Sequence, residues 1–224
     1  PNFFGCIEDV HSIEAIAHKG KALFVTAITE PASLGILAPP GSYGADIAVG
    51  EMMSFGNTMS YGAPALGFMA AKQKFMRLLP GRLVGQTIEE GGSKQTGYVL
   101  TLQTREQHIR RERATSNICT NQSLLAVGAT IFLAALGKQG FREMSELCLQ
   151  KAHYAYRQIT AIPGFEAAFS SPFFDEFVVK TPVSADRLQQ HFAQVGILGG
   201  YPLDKSYAGM ENAMLFCVTE TRTK

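Results

Sequence analysis

The sequence predicts an α/β unit built on a mainly parallel sheet, followed by a smaller α+β layer. Three observations carry that expectation. Short apolar runs rich in β-branched and aromatic residues alternate with helical and loop signals over the first 72 residues. Residues 123–136 (SLLAVGATIFLAAL) then form an apolar run of helical length. Beyond Pro163-Gly164 the pattern changes to short strands around one helix.

Taken in order, residues 13–19 read as a short helix and 22–28 (ALFVTAI) as a buried strand. Residues 31–37 suit a helix with proline in its first turn. Pro39-Pro40-Gly41 forces a loop before a second buried strand at 45–49. Residues 50–64 are small and polar with repeated glycine, and 66–72 (LGFMAAK) read as a further strand. Strands at 83–88 and 98–102 flank Glu89-Glu90-Gly91-Gly92 as a hairpin. Residues 123–136 are apolar nearly all round, which predicts a deeply buried helix stopped by Gly137. An amphipathic helix follows over 141–159, with Met144, Leu147, Cys148 and Tyr154 at helical spacing. Then come strands at 165–169 and 174–180, a helix at 185–194 and a last strand at 213–218. The organisation this implies is 1–122, connecting helices over 123–162, and a small α+β domain over 163–224.

Composition narrows the function. Hydrophobic residues make up 46% of the chain and charged residues 17%, a surplus that predicts apolar surface buried against a partner. A net charge of +1 disfavours a general polyanion or nucleic-acid binder. Cys6, Cys119, Cys148 and Cys217 are widely separated, without a CxxC pair or histidines at ligand spacing. They read as reduced thiols of an intracellular protein, not as a zinc site or disulfide framework. The longest apolar runs are interrupted by glycine or charge before membrane-spanning length, and both ends read as cut mid-fold.

The chemistry-bearing stretch is 100–122, LTLQTREQHIRRERATSNICTNQ. It holds arginines at 105, 110, 111 and 113 with His108, then Ser116, Asn117, Thr120 and Asn121 just before the apolar helix. Guanidinium forks beside a helix entrance favour phosphate or carboxylate; a solvated linker ending in a helix cap is the plainer alternative. His11, His18, His153 and His191 stand alone in the sequence and read as surface or half-buried residues. Asp46 is expected near the carboxyl end of its strand, where open α/β sheets place ligands. Tyr61-Gly62-Ala63-Pro64 is either a ligand-facing loop or an ordinary tight turn. Neither GxGxxG nor a P-loop occurs, and no hydrolase triad is nominated.

The segment TLQTREQHIRRERATSNICTNQSLLA closely resembles the P-protein family of the glycine cleavage system, pyridoxal-phosphate (PLP)-dependent glycine decarboxylases. The likeness is to the amino-terminal half, a separate subunit in many bacteria and archaea. Residues 1–9 (PNFFGCIED), 34–50 (LGILAPPGSYGADIAVG), 61–68, 80–85 (PGRLVG) and 137–153 (GKQGFREMSELCLQKAH) match as well. The resemblance implies a fold-type-I PLP-dependent transferase fold: part of the large domain, with its mostly parallel sheet, plus most of a small carboxyl-terminal α+β domain. It also implies glycine decarboxylation, with transfer of the aminomethyl group to the lipoyl H-protein. The family needs a Schiff-base lysine on the loop after the strand that 45–49 resembles. That loop reads GEMMSFGNTMSYG here, and no lysine occurs between Lys21 and Lys72.

The resemblance therefore implies a lysine-less half of an enzyme, with no catalytic residue of its own. The lysine that holds the PLP would lie in a partner half or subunit. Asn117, Thr120 and Asn121 would approach that cofactor, Arg110 or Arg113 would balance anionic groups, and Tyr61 and Gly62 would line the interface. Competing readings are a structural or regulatory subunit that only stabilises its partner, and an independent aminotransferase-like enzyme, which the missing lysine disfavours. The cytoplasm is the expected compartment; no nucleic-acid, membrane or metal partner is expected.

Overall fold

The computed structural model describes residues 1–62, 65–91, 94–114 and 122–223, apart from the side chain of Arg105. Helix α1 (Val10–Lys19) starts at Asp9, whose carboxylate accepts from the Ser12 backbone N–H at 3.1 Å and the Ser12 hydroxyl at 2.6 Å. Val10 and Ala17 pack on the buried cluster of Phe24, Tyr43 and Ala45. Strands β1 (Val25–Ile28), β2 (Ile47–Glu51) and β3 (Gly67–Ala71) form one sheet in that order. β1 runs parallel to β2, with Val25 opposite Ile47, whereas β3 is antiparallel, with Glu51 opposite Gly67. Strands β4 (Leu83–Ile88) and β5 (Thr96–Thr101) make the expected hairpin.

The short helix α2 (Gln107–Arg110) leads into a helical turn at Arg111–Arg113, and α3 covers Ser123–Thr160. At Gly137 (φ 63°, ψ −179°) the backbone leaves the helical region, so α3 is two helices joined across a kink. The stop expected at Gly137 is thus present, because a glycine takes this φ without steric cost. Deep burial of the first half is corrected. Leu125, Ala129, Phe132 and Leu133 pack on Phe55 and Leu66, but Leu124 is 82% exposed, with Val127 and Ile131 also turned outward. The apolar stripe encircles the helix while this chain covers one side of it. Taken as one 38-residue span, α3 is long and apolar enough to cross a membrane by length and composition alone, but its helical backbone is interrupted at Gly137, as the sequence pattern has it.

The second half of α3 ties the chain together. The Ser145 hydroxyl donates to the carbonyl of Ala32 at 2.7 Å, and Cys148 packs with Ala32 and Phe174. Beyond it, β6 (Glu166–Ala167), β7 (Glu176–Lys180), β8 (Tyr201–Pro202) and β9 (Ala213–Cys217) form an antiparallel sheet in the order β6-β7-β9-β8. Helix α4 (Ala185–Gln194) is capped by Ser184, whose hydroxyl accepts from the Arg187 N–H at 3.4 Å. Phe177 and Val179 face Ala152, Phe173 and Tyr156, while Val178, Leu203 and Leu215 fill the other side. This alternation along β7 makes it the centre of the small core. The amino-terminal segment straps onto the same unit through Ile7 N–H to Pro172 O (2.8 Å) and a bridge between Cys6 and Phe173.

Candidate functional site

At the carboxyl end of β2 the chain enters a loop, 52–66, whose ends meet again where Leu66 approaches β2. Phe55 is buried in it, its ring stacked on Phe132 (6.0 Å, 13°) and edge-on to Phe141 (5.5 Å, 88°). The tip is different. Ser60 (φ 38°), Tyr61 (φ 59°) and Gly62 (φ 93°) are successive left-handed residues, and the Tyr61 side chain is fully exposed. Two consecutive non-glycine residues in that region store backbone strain of about 1–3 kcal/mol each. Met59 O accepts from the Gly62 N–H at 2.6 Å, so the tip is a tight turn of the mirror-image kind, with positive φ at both central residues. Asn57, in the same loop beside Gly128, holds a buried amide nitrogen (Nδ2) with no hydrogen-bond partner among the described residues. Such a group costs about 1–3 kcal/mol unless something supplies an acceptor. Nothing in the sequence pattern singled it out.

Arg110 and Arg113, with Ile109, Arg111 and Glu112, line an open bowl of about 530 Å³. Arg111 itself has φ 51° and ψ −123°. Among the described residues, none of these three arginines forms an ion pair, and neither Arg110 nor Arg113 bonds to Tyr61 or Gly62. The bowl is an electropositive surface aimed outward, suited to an anionic group. Ser116, Asn117, Thr120 and Asn121 lie outside the described residues, as do Cys119, Ala63 and Pro64.

Asp46 departs from its expected place. It immediately precedes β2, at the amino end of the strand, and is only 2% exposed. Its carboxylate accepts from His18 Nε2 (2.8 Å), the Phe24 N–H (3.0 Å), Lys72 Nζ (3.0 Å) and Lys74 Nζ (3.3 Å). His18, chiefly, with the Phe24 N–H and Lys72, holds this carboxyl well below the usual carboxylate range. His18 does not stand alone: its Nδ1 meets Glu14 at 2.5 Å, and Asp46 first, then Glu14, raises its pKa. Both ring nitrogens can donate together only in the imidazolium form. The cluster fastens α1 and β3 to β2 and is structural.

Lys72 and Lys74 are engaged with Asp46 at the amino end of β2, and the loop leaving the carboxyl end of β2 carries no lysine. These residues do not fit covalent attachment of PLP.

A third cluster is acidic. Burial, then the Glu30 and Glu176 charges, pushes the Asp175 carboxyl up to about 7, and burial raises Glu30 and Glu176 as well. Cys148 donates to Glu220 at 3.3 Å, and both Cys148 and Cys217 are pushed up to about 12, chiefly by burial. Among the described residues Cys6, Cys148 and Cys217 are free thiols, and no group of metal ligands is assembled. A thiol at about 12, against an ordinary 9, has roughly a thousandfold smaller thiolate fraction at pH 8. Cys148, 2% exposed, is therefore expected to react with a disulfide reagent orders of magnitude more slowly than a free cysteine. Labelling followed by peptide mapping checks this, and rapid modification of Cys148 would contradict it.

The family model of the glycine cleavage system P-protein matches residues 1–224. A probable glycine dehydrogenase (decarboxylating) subunit 1 from Moorella thermoacetica is 51% identical over 224 residues, covering the whole chain and 50% of the relative. The chain belongs to the glycine cleavage system P-protein family. A P-protein-family relative from Brevibacillus brevis, also named a probable subunit 1, is 52% identical over the same span. The crystal structure of glycine decarboxylase (P-protein) in inhibitor-bound form superposes with a TM-score of 0.91 at 42% identity, over all of this chain and 50% of that one. The chain thus spans about half the length of these P-protein relatives. A cysteine desulfurase of Escherichia coli (TM-score 0.66, 14% identity, 99% of this chain and 53% of that one) shares the fold alone. The P-protein chain accordingly has the fold-type-I PLP-dependent transferase fold expected from its sequence, present as part of a large domain with a small α+β domain.

Proposed function

We propose that the chain is part of subunit 1 of a glycine decarboxylase, forming one lysine-free wall of an active site completed by a second half or subunit in the cytoplasm. The observation that carries this is the loop after β2, which has no lysine while Lys72 and Lys74 are committed to Asp46. The partner would hold PLP covalently, and PLP supplies the electron sink that glycine decarboxylation requires. This chain's residues would bind and orient. Arg110 or Arg113 would balance anionic groups, Tyr61 and Gly62 would line the interface, and Asn117, Thr120 and Asn121 would approach the cofactor from the entrance to α3. The aminomethyl product would pass to the lipoyl arm of H-protein. The division at 122 and 162 belongs to the same reading: the first part builds the wall, and 163–224 supports it through α3.

The test uses the two-subunit enzyme. Changing Thr120 and Asn121 together to alanine is expected to lower glycine-dependent bicarbonate exchange about 10-fold or more, as removal of placed hydrogen-bonding groups does. The subunit carrying this chain, mixed with PLP in the partner's absence, is expected to trap no cofactor on borohydride treatment. Wild-type exchange by the double variant would reduce the chain to a scaffold. Borohydride-stable PLP on this subunit alone would overturn the lysine-free reading.

A further inference from the structure

One carboxylate oxygen closes the loop that carries Asn57 and Tyr61. Glu51 Oε1 accepts from the backbone N–H groups of Met52 (3.0 Å), Met53 (2.8 Å) and Leu66 (2.6 Å). Met52 N–H is shared with the carbonyl of Leu66 at 2.8 Å, so both ends of the loop converge on the end of β2. A side-chain oxygen at this reach gathers three main-chain donors at once, and an ionised acceptor strengthens each bond. A second carboxylate, Glu30, takes the Ser54 hydroxyl at 3.1 Å and the Ala32 N–H at 2.8 Å, and Phe55 is packed against α3. The base of the loop is thereby fixed three ways. Its tip is the reverse: a left-handed run at Ser60, Tyr61 and Gly62 that leaves a tyrosine side chain wholly in solvent. A loop held rigidly at its base, with an aromatic side chain uncovered at its tip, is arranged to receive something.

We propose that Glu51 is a positioning residue, fixing the loop so that the exposed Tyr61 meets groups brought by the other half of the enzyme. The proposal rests on the shared-wall reading above and names the side chain that holds that wall in place. Glu51 touches no reacting atom; it acts through three main-chain N–H groups.

The experiment compares E51A, E51Q and Y61A in the complete two-subunit enzyme. It measures kcat and KM for glycine, with hydrogen exchange at the amides of Met52, Met53 and Leu66. E51A is expected to lower kcat about 10- to 100-fold, the scale of a small misplacement of positioned groups, with KM little changed. The three amides lose protection in E51A, and E51Q, which keeps an acceptor oxygen of the same reach, regains most of the rate. Unchanged protection in E51A overturns the proposal outright. Unchanged kcat in E51A with a slowed Y61A overturns it while leaving the shared wall standing. Lost protection with full rate in both E51A and Y61A overturns it together with the placement of Tyr61 in the wall.

Discussion

Replacing Gly5 with alanine is expected to lower the thermal midpoint by about 10 °C, whereas the same change at Gly41 should be nearly silent. Gly5 has φ +80°, and a Cβ built there lies 1.9 Å from the carbonyl oxygen and 2.4 Å from the carbonyl carbon of Glu176. Those are backbone atoms of β7, an interior strand of the small sheet, bonded to β6 on one side and β9 on the other. Neither partner can give without breaking its ladder. The strap itself is fixed as well: Asn2 Oδ1 accepts from the N–H groups of Phe4 (2.9 Å) and Cys6 (3.1 Å). A left-handed alanine costs about 1–3 kcal/mol and overpacking a similar amount, so a total near 3–5 kcal/mol is the right order. At about 2–4 °C per kcal/mol for a chain of this size, that converts to the shift stated. Gly41 has no atom within 4 Å of its would-be Cβ, which makes it the matched control. Circular dichroism melts of both variants decide the matter: a Gly5→Ala midpoint within about 2 °C of wild type would mean that the strap is not seated on β7.

The second large effect is on pH. Asp175 is 3% exposed, and its folded pKa is about 7 against 3.8 for the free group. Its proton is therefore held more tightly in the folded state than in the unfolded one. Below pH 3.8 both states are protonated, and the group makes no difference. As pH rises from there, the unfolded chain ionises first, and folding stability falls until the folded carboxyl also ionises near pH 7. About three units at 1.36 kcal/mol each put the loss at about 4 kcal/mol between pH 4 and pH 8. D175N removes the titrating group while keeping its size. It is expected to unfold at higher denaturant than wild type at pH 8 and to lose that advantage by pH 4. A parallel pH dependence in D175N would assign the loss to other groups.

How much of this was legible beforehand depends on what kind of force sets each feature. Strands β1 to β5, α4 and β9 follow from local patterning: β-branched runs, a glycine-rich turn, a serine cap. These are decided within a few residues of chain, and sequence reading found them to within a few positions. β8 was missed because two residues leave no periodicity to read. The outward face of α3 was misjudged because an apolar stripe reports that a surface is to be covered, not which polypeptide covers it. His18 looked solitary, and Asp46 was assigned to the wrong end of its strand, because the partners of Asp46 lie up to 28 positions away and meet it only once α1 and β3 pack beside β2. Glu51 was invisible for a related reason: its partners are backbone amides, which every sequence position possesses. Within the candidate site, residue types pointed to Arg110, Arg113, Tyr61 and Gly62. The strain at 60–62 and the orphaned Asn57 emerged only from conformation.

The ring of Phe55 lies against Phe132 and Phe141, one on each side of the break at Gly137. A helix interrupted at a residue without a side chain would otherwise swivel there at little energetic cost, since two torsions of one glycine are all that must change. With the ring wedged across the junction, both segments of α3 are held against one loop side chain, and the arm that carries Ser145 and Cys148 shares that anchor with the base of the loop.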